Sequence, residues 1–133
     1  MKFQTTLQTS GRLGEVIIAT DAAVGCIKAL RLFSESGLYQ IHLVLAEFVA
    51  NAIEHGNKFD STKSVFVLMQ TIGNDVGISV VDEGPGVTEA MLEKPYDPSL
   101  LRGRGLHIVR GITGNLGIKG SHIYTVLTAE RFK

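Results

Sequence analysis

The apolar positions change their spacing several times along the chain, and each change marks an element. Lys2 to Gln8 alternates weakly between polar and apolar residues and predicts an edge strand. Three- and four-residue steps then take over. Leu13, Val16, Ile17, Thr20, Val24, Ile27 and Arg31 trace one face of a helix. Gly37 is expected to end it, because glycine takes the left-handed cap conformation without a steric penalty. A second helix is predicted from Leu38 to about Asn57, with Ile41, Leu45, Phe48 and Ala52 as its core stripe and Gly56 near its end. Ser64 to Thr71 is rich in β-branched and aromatic residues, Gly73-Asn74-Asp75 turns the chain, and Val76 to Val81 supplies the hairpin partner. The stretch from Asp82 to Leu101 holds Pro95 and Pro98, shows no sustained period and reads as a loop. Leu106 to Ile112 resumes helical spacing. Leu116–Lys119 and Ile123–Arg131 then form a closing hairpin around Gly120-Ser121-His122. The order β-α-α-β-β-loop-α-β-β predicts an α+β sandwich, with helices covering one face of a mixed, mostly antiparallel sheet. No linker, repeat or low-complexity segment interrupts it, so residues 1–133 are expected to form a single domain.

Composition narrows the class. A chain of 133 residues, 44% hydrophobic and 20% charged, can bury a core of its own and is not of the disordered type. Its 13 basic and 13 acidic side chains balance, which leaves no electrostatic footprint for nucleic acid or an anionic membrane. No apolar run approaches the ~20 residues of a membrane span. Met1 to Thr6 lacks the apolar core of a signal peptide. The single cysteine, Cys26, lies in an apolar helical pattern and is expected to be a small buried thiol. Together these features point to the cytoplasm.

Three short boxes carry the candidate chemistry. The first lies on the second helix, Glu47-Phe48-Val49-Ala50-Asn51-Ala52-Ile53-Glu54-His55-Gly56-Asn57. Four-residue spacing stacks Glu47 and Asn51 on one face, with His55 expected one turn further along the same edge. A carboxylate and an amide beside an apolar stripe are costly unless both meet polar partners. The second box, Asp82-Glu83-Gly84-Pro85-Gly86, follows the apolar strand Gly77-Ile78-Ser79-Val80-Val81 directly. A strand-end aspartate can accept a hydrogen bond from an exocyclic amine, and the glycines let the backbone approach a flat base. Taken alone it reads first as a plain glycine–proline turn. The third box, Gly103-Arg104-Gly105-Leu106, opens the helix that carries Ile108 and Val109. Backbone N–H groups at a helix start make a phosphate cradle. It is neither a Walker loop nor a Rossmann fingerprint, since the spacing of further glycines and of a lysine is missing.

In this order the boxes resemble the GHKL ATPases, the Bergerat-fold superfamily of histidine kinases, gyrase-type topoisomerases, Hsp90 and the MutL repair proteins. The resemblance is close from Glu47 to Val109. Within the superfamily the run Asn51-Ala52-Ile53-Glu54-His55-Gly56 and the short unadorned loop are similar to the anti-sigma-factor serine/threonine kinases.

The resemblance implies ATP and Mg2+ as cofactors. Asn51 would bind the magnesium ion, and Asp82 would receive the adenine amino group, with Gly84 and Gly86 passing beside the base. Gly103, Gly105 and their neighbours Arg104 and Leu106 would meet the phosphates, and His55 is counted with the nucleotide-binding residues rather than as a catalyst. Glu47 would be the general base towards a serine or threonine hydroxyl. Arg104, or Arg102 beside it, would offset charge on the transferred phosphoryl group, although both also read as solvated partners of Glu89 and Glu93. The implied partners are a STAS-domain anti-anti-sigma protein as substrate, a sigma factor held inactive, and a second copy in a homodimer. The loop between Gly86 and Gly103 would respond to ATP. His42, His107 and His122 show no metal-ligand spacing.

Three other readings compete. A nucleotide-gated binder without phosphate transfer would leave Glu47 without a task. The catalytic half of a histidine kinase would need a dimerisation domain with a phospho-accepting histidine. An ATP hydrolase of the gyrase or Hsp90 kind would need further coupling domains.

Overall fold

The computed structural model describes residues 2–8, 14–58, 60, 62–73, 75–84 and 116–131. The loop beyond Gly84 and the helix expected at Leu106–Ile112 lie outside the described residues, as do the structures around Gly86, Arg102, Gly103, Arg104, Gly105 and Leu106. The elements are β1 (Lys2–Gln8), α1 (Gly14–Lys28), α2 (Glu35–Asn51) ending in a π-helical turn (Ala52–Gly56), β2 (Ser64–Ile72), β3 (Asp75–Val81), β4 (Gly117–Lys119) and β5 (His122–Leu127). The strands form one sheet in the order β1-β2-β3-β5-β4, and every described pairing is antiparallel. The expected α+β sandwich is therefore present, with β1 at the sheet edge as anticipated.

Alternation along the strands decides which face the helices cover. Val65, Val67 and Met69 of β2, Val76, Ile78 and Val80 of β3, and Ile123 and Leu127 of β5 are all buried. They form one cluster with Ile41, Val44, Leu45, Phe48, Val49 and Ala52 from the second helix and Ala23 and Ile27 from the first. The alternate positions Phe66, Tyr124 and Val126 are exposed. The four expected core residues of α2, Ile41, Leu45, Phe48 and Ala52, are all inside.

The first helix corrects two expectations. It ends at Lys28, where Leu30 and Arg31 donate backbone N–H bonds to Ile27 and Lys28 at 3.1 and 3.0 Å and tighten the last turn. The left-handed residue after it is Arg31, with φ 55°, and not Gly37. The buried positions are Thr20, Ala23 and Ile27, while Val24 is only half-buried. Cys26 falls beside that stripe and is exposed, so the expected buried thiol is a surface one. Leu13 lies outside the described residues, as do the side chains of Val16 and Ile17.

Gly37 belongs to the first turn of α2 instead. Ser34 caps this helix, its hydroxyl accepting from the Gly37 N–H at 3.1 Å. Ser34 also donates its backbone N–H to the Glu130 carbonyl at 3.0 Å, which ties the helix start to the chain after β5. A Cβ on Gly37 would overlap that same carbonyl oxygen. The glycine serves close approach, and the helix starts three residues earlier than its apolar period suggests because the cap lies outside that period. At the other end of the chain β5 stops at Leu127, and Arg131 forms an isolated bridge with Phe33 and lies 5.1 Å over its ring. Among the described residues no helix is long and apolar enough to cross a membrane.

Two glycine substitutions should therefore act in opposite directions. Gly37→Ala is expected to lose about 1–3 kcal/mol through overpacking against Glu130. Gly25→Ala, at an exposed position in α1 where an added Cβ meets nothing, should gain about 0.5–1 kcal/mol. Urea unfolding of both variants checks the pair, and equal effects would refute the packing argument.

Candidate functional site

Glu47 and Asn51 occupy successive turns of α2, each only partly exposed beside the buried stripe. Burial pushes the Glu47 carboxyl up from its usual 4.5, because a half-desolvated carboxylate loses hydration in its charged form. Beyond Asn51 the helix widens. The Asn57 N–H donates to the Ala52 carbonyl at 2.8 Å, a five-residue closure in place of the α-helical four. The four-residue step from Asn51 to His55 is then less than a full turn. The side chain of His55, expected to continue the Glu47–Asn51 edge, lies outside the described residues.

The widened turn delivers the backbone to the end of β3. Asp82, 6% exposed, follows that strand and donates its N–H to the Ser121 carbonyl at 3.1 Å. Its Oδ1 accepts from the Gly84 N–H at 2.7 Å. The carboxylate lies directly on Gly56, where a Cβ would overlap both of its oxygens. Gly84 in turn packs on the Gly56 carbonyl, leaving no room for a side chain. The Asp-x-Gly spacing thus serves a backbone contact within the protein as well as any contact with a ligand. Burial raises the Asp82 carboxyl above its usual 3.8, with the Gly84 N–H and the charge of Lys63 pulling the other way.

Asn51 and Asp82 line one narrow cleft, too tight to enclose a water molecule, whose opposite wall is the β4–β5 turn with Gly120, Ser121 and His122. Glu47 stands one helical turn back, outside this lining. The turn residues were legible as a turn but not as part of a site. Nothing local to Gly120-Ser121-His122 indicates that it folds back onto Asp82; the long-range pairing of β5 with β3, which sets His122 opposite Val81, decides that. His122 also hydrogen-bonds through Nε2 with the Ser79 hydroxyl. Another residue without a role in the sequence reading is Asn57, buried at the junction of α2 and the sheet. Among the described residues no group of three histidine, cysteine or carboxylate side chains could hold a metal alone.

The cleft therefore offers a buried carboxylate at a strand end and a carboxamide on a facing helix edge, with a second carboxylate of raised pKa one helical turn outside it. Such a set can accept a hydrogen bond from a flat heterocycle, contribute one oxygen to a divalent ion, and take up a proton. In comparison with known families, residues 10–130 match the model described as a histidine kinase-like ATPase domain. Among curated proteins no match reaches significance.

Asp82→Asn retains an oxygen for the Gly84 N–H and removes a buried charge. The folded carboxyl binds its proton more tightly than the unfolded one. Its destabilising effect is therefore absent below pH 3.8 and grows as pH rises through the higher folded value. Unfolding measured from pH 3.5 to 7 should show the wild type losing stability relative to the variant as pH rises. A variant weaker than wild type at pH 7 would mean that the carboxylate is there for the fold.

Proposed function

The chain belongs to the histidine kinase-like ATPase family, and we propose that it is an ATP-dependent serine/threonine protein kinase acting on a STAS-type anti-sigma-factor antagonist. In the same proposal it binds and inhibits a sigma factor and works as a homodimer. Domains of this family bind ATP, usually with Mg2+. The observation that carries the reading is the convergence of Asn51 and Asp82 on one cleft, with Glu47 one turn back on the Asn51 edge and its pKa raised by burial. A site that only sequesters nucleotide has no use for a carboxylate tuned in that direction.

Asp82 would accept the adenine amino hydrogen through its ionised carboxylate. Asn51 would supply a carboxamide oxygen to magnesium, which would neutralise phosphate charge when bound. The phosphates would meet the backbone of Gly103 and Gly105. In the transfer, the acceptor hydroxyl oxygen bonds to the γ-phosphorus while the bond to the β–γ bridging oxygen breaks and ADP leaves. The hydroxyl proton passes to Glu47. A base of raised pKa loses less driving force in that step than an ordinary glutamate would, and Arg104 would offset charge on the phosphoryl oxygens. Support for the antagonist and the sigma factor comes from the resemblance of the Asn51–Gly56 run and its flanking boxes to the anti-sigma kinases.

Labelled Mg-ATP and a STAS-domain antagonist from the same organism test the proposal. Transfer to serine or threonine should drop at least about 100-fold in Glu47→Ala while ATP binding persists. The wild-type rate should also fall as pH is lowered through the Glu47 pKa, above 4.5, because only the ionised form accepts the proton. ATP binding without transfer to any antagonist tried would favour a nucleotide-gated binder instead. Asn51→Ala should lower ATP affinity with magnesium present and change it little without; calorimetry showing no such difference would remove the ion from Asn51.

A further inference from the structure

We infer that Asn57 is a positioning residue of the nucleotide site: its side chain clamps the Asp82–Gly84 turn onto the end of α2, and preference for adenine depends on that clamp. The inference rests on the reading of Asp82 as the adenine acceptor.

Asn57 is 1% exposed and is tied to four separate points of the chain. Its N–H donates to the Ala52 carbonyl at 2.8 Å, closing the π-helical turn. Its carbonyl accepts from the Asp60 N–H at 2.9 Å. Its side-chain Nδ2 donates to the Ser64 carbonyl at the start of β2, 3.0 Å away. Its Oδ1 accepts from the Glu83 N–H at 2.8 Å. Glu83 closes the loop, its Oε2 accepting from the Ser64 N–H at 2.6 Å. One buried amide thereby joins the helix end, the first residue of β2 and the residue between Asp82 and Gly84.

The geometry around this clamp leaves little slack. Asp82 already lies on the Cα of Gly56, and Gly84 on the Gly56 carbonyl, so the turn can move away from the helix but not towards it. Outward movement of the Glu83 backbone is opposed by the hydrogen bonds from Ser64 to the Glu83 carboxylate and from Asp82 to Ser121, alongside its own to Asn57. The next residue, Lys58, has φ 51°, a left-handed conformation that is uncommon for a side-chain-bearing residue and persists where the surroundings impose it. A shift of the Glu83 backbone carries the Asp82 carboxylate with it. A site that discriminates by one directed hydrogen bond is sensitive to such a shift, whereas contacts to phosphate are less so.

The test compares ATP and GTP affinity of the full chain by calorimetry in wild type, N57A, N57D and I27A. Ile27 is a fully buried core residue of α1, so I27A is destabilised without touching the clamp. N57A should lower the ATP-to-GTP affinity ratio about tenfold, the equivalent of one net hydrogen bond. N57D keeps the acceptor towards the Glu83 N–H and loses the donor to Ser64. It should keep the ratio within about twofold despite reduced thermal stability. I27A should lose stability with its ratio unchanged. An unchanged ratio in N57A, or an equal fall in I27A, overturns the inference. If N57A does not fold, N57D decides: a kept ratio supports the clamp and a lost one overturns it. Failure of both to fold assigns Asn57 to folding alone and also overturns it. Wild type that binds ATP and GTP equally removes the reading of Asp82 as the adenine acceptor, and the inference with it, before any variant is compared.

Discussion

Burial of the apolar stripe of α2 against the inner face of the sheet is the interaction on which the other features depend. Ile41, Val44, Leu45, Phe48 and Val49 are fully buried in one cluster with Val67, Met69, Ile78 and Val80. Each large side chain so placed contributes about 1.5–3 kcal/mol, far more than any single polar contact at the site. That burial fixes the rotation of the helix about its own axis. With the stripe held inward, Glu47 and Asn51 can only take the flank, half-buried. With the helix laid along the sheet, its last turn reaches the end of β3, where Asp82 begins the next segment.

The junction made there is tight enough to dictate residue types. Gly56 and Gly84 are required because the Asp82 carboxylate and the Gly56 carbonyl occupy the space that their side chains would fill. The π-helical turn and the left-handed Lys58 are the backbone's means of leaving the helix at that point. A carboxylate buried against its own preference, as Asp82 is, weakens the fold it sits in. Structures that keep such a group at a cleft commonly do so for a ligand. The same holds for Glu47, whose raised pKa is a burden to stability and an advantage to a base.

Agreement between pattern and structure is best where the determining contacts are short-range. The period of α2 named its core residues, and the β-branched runs named β2 and β3, because burial on one face repeats at the pitch of the element. Disagreements fall where a distant segment intrudes. Gly37 looks like a helix stop in isolation and is a packing glycine because Glu130 crosses it. Cys26 sits among apolar residues in sequence and outside them in space, because the buried stripe runs through Ala23 and Ile27.

The amino-acid sequence by itself determined the order of the described elements, the α+β class, the inward stripe of α2 and the pairing of Glu47 with Asn51 along one helix edge. These are consequences of local sterics and of periodicity in burial, which act within a few residues. Only the tertiary structure decided that Asn51 and Asp82 share a cleft walled by the β4–β5 turn, and that Asn57 reaches Ser64 and Glu83. Those contacts join residues separated along the chain by strands and turns. No spacing encodes them; they follow from how closely a helix end and a sheet edge can approach.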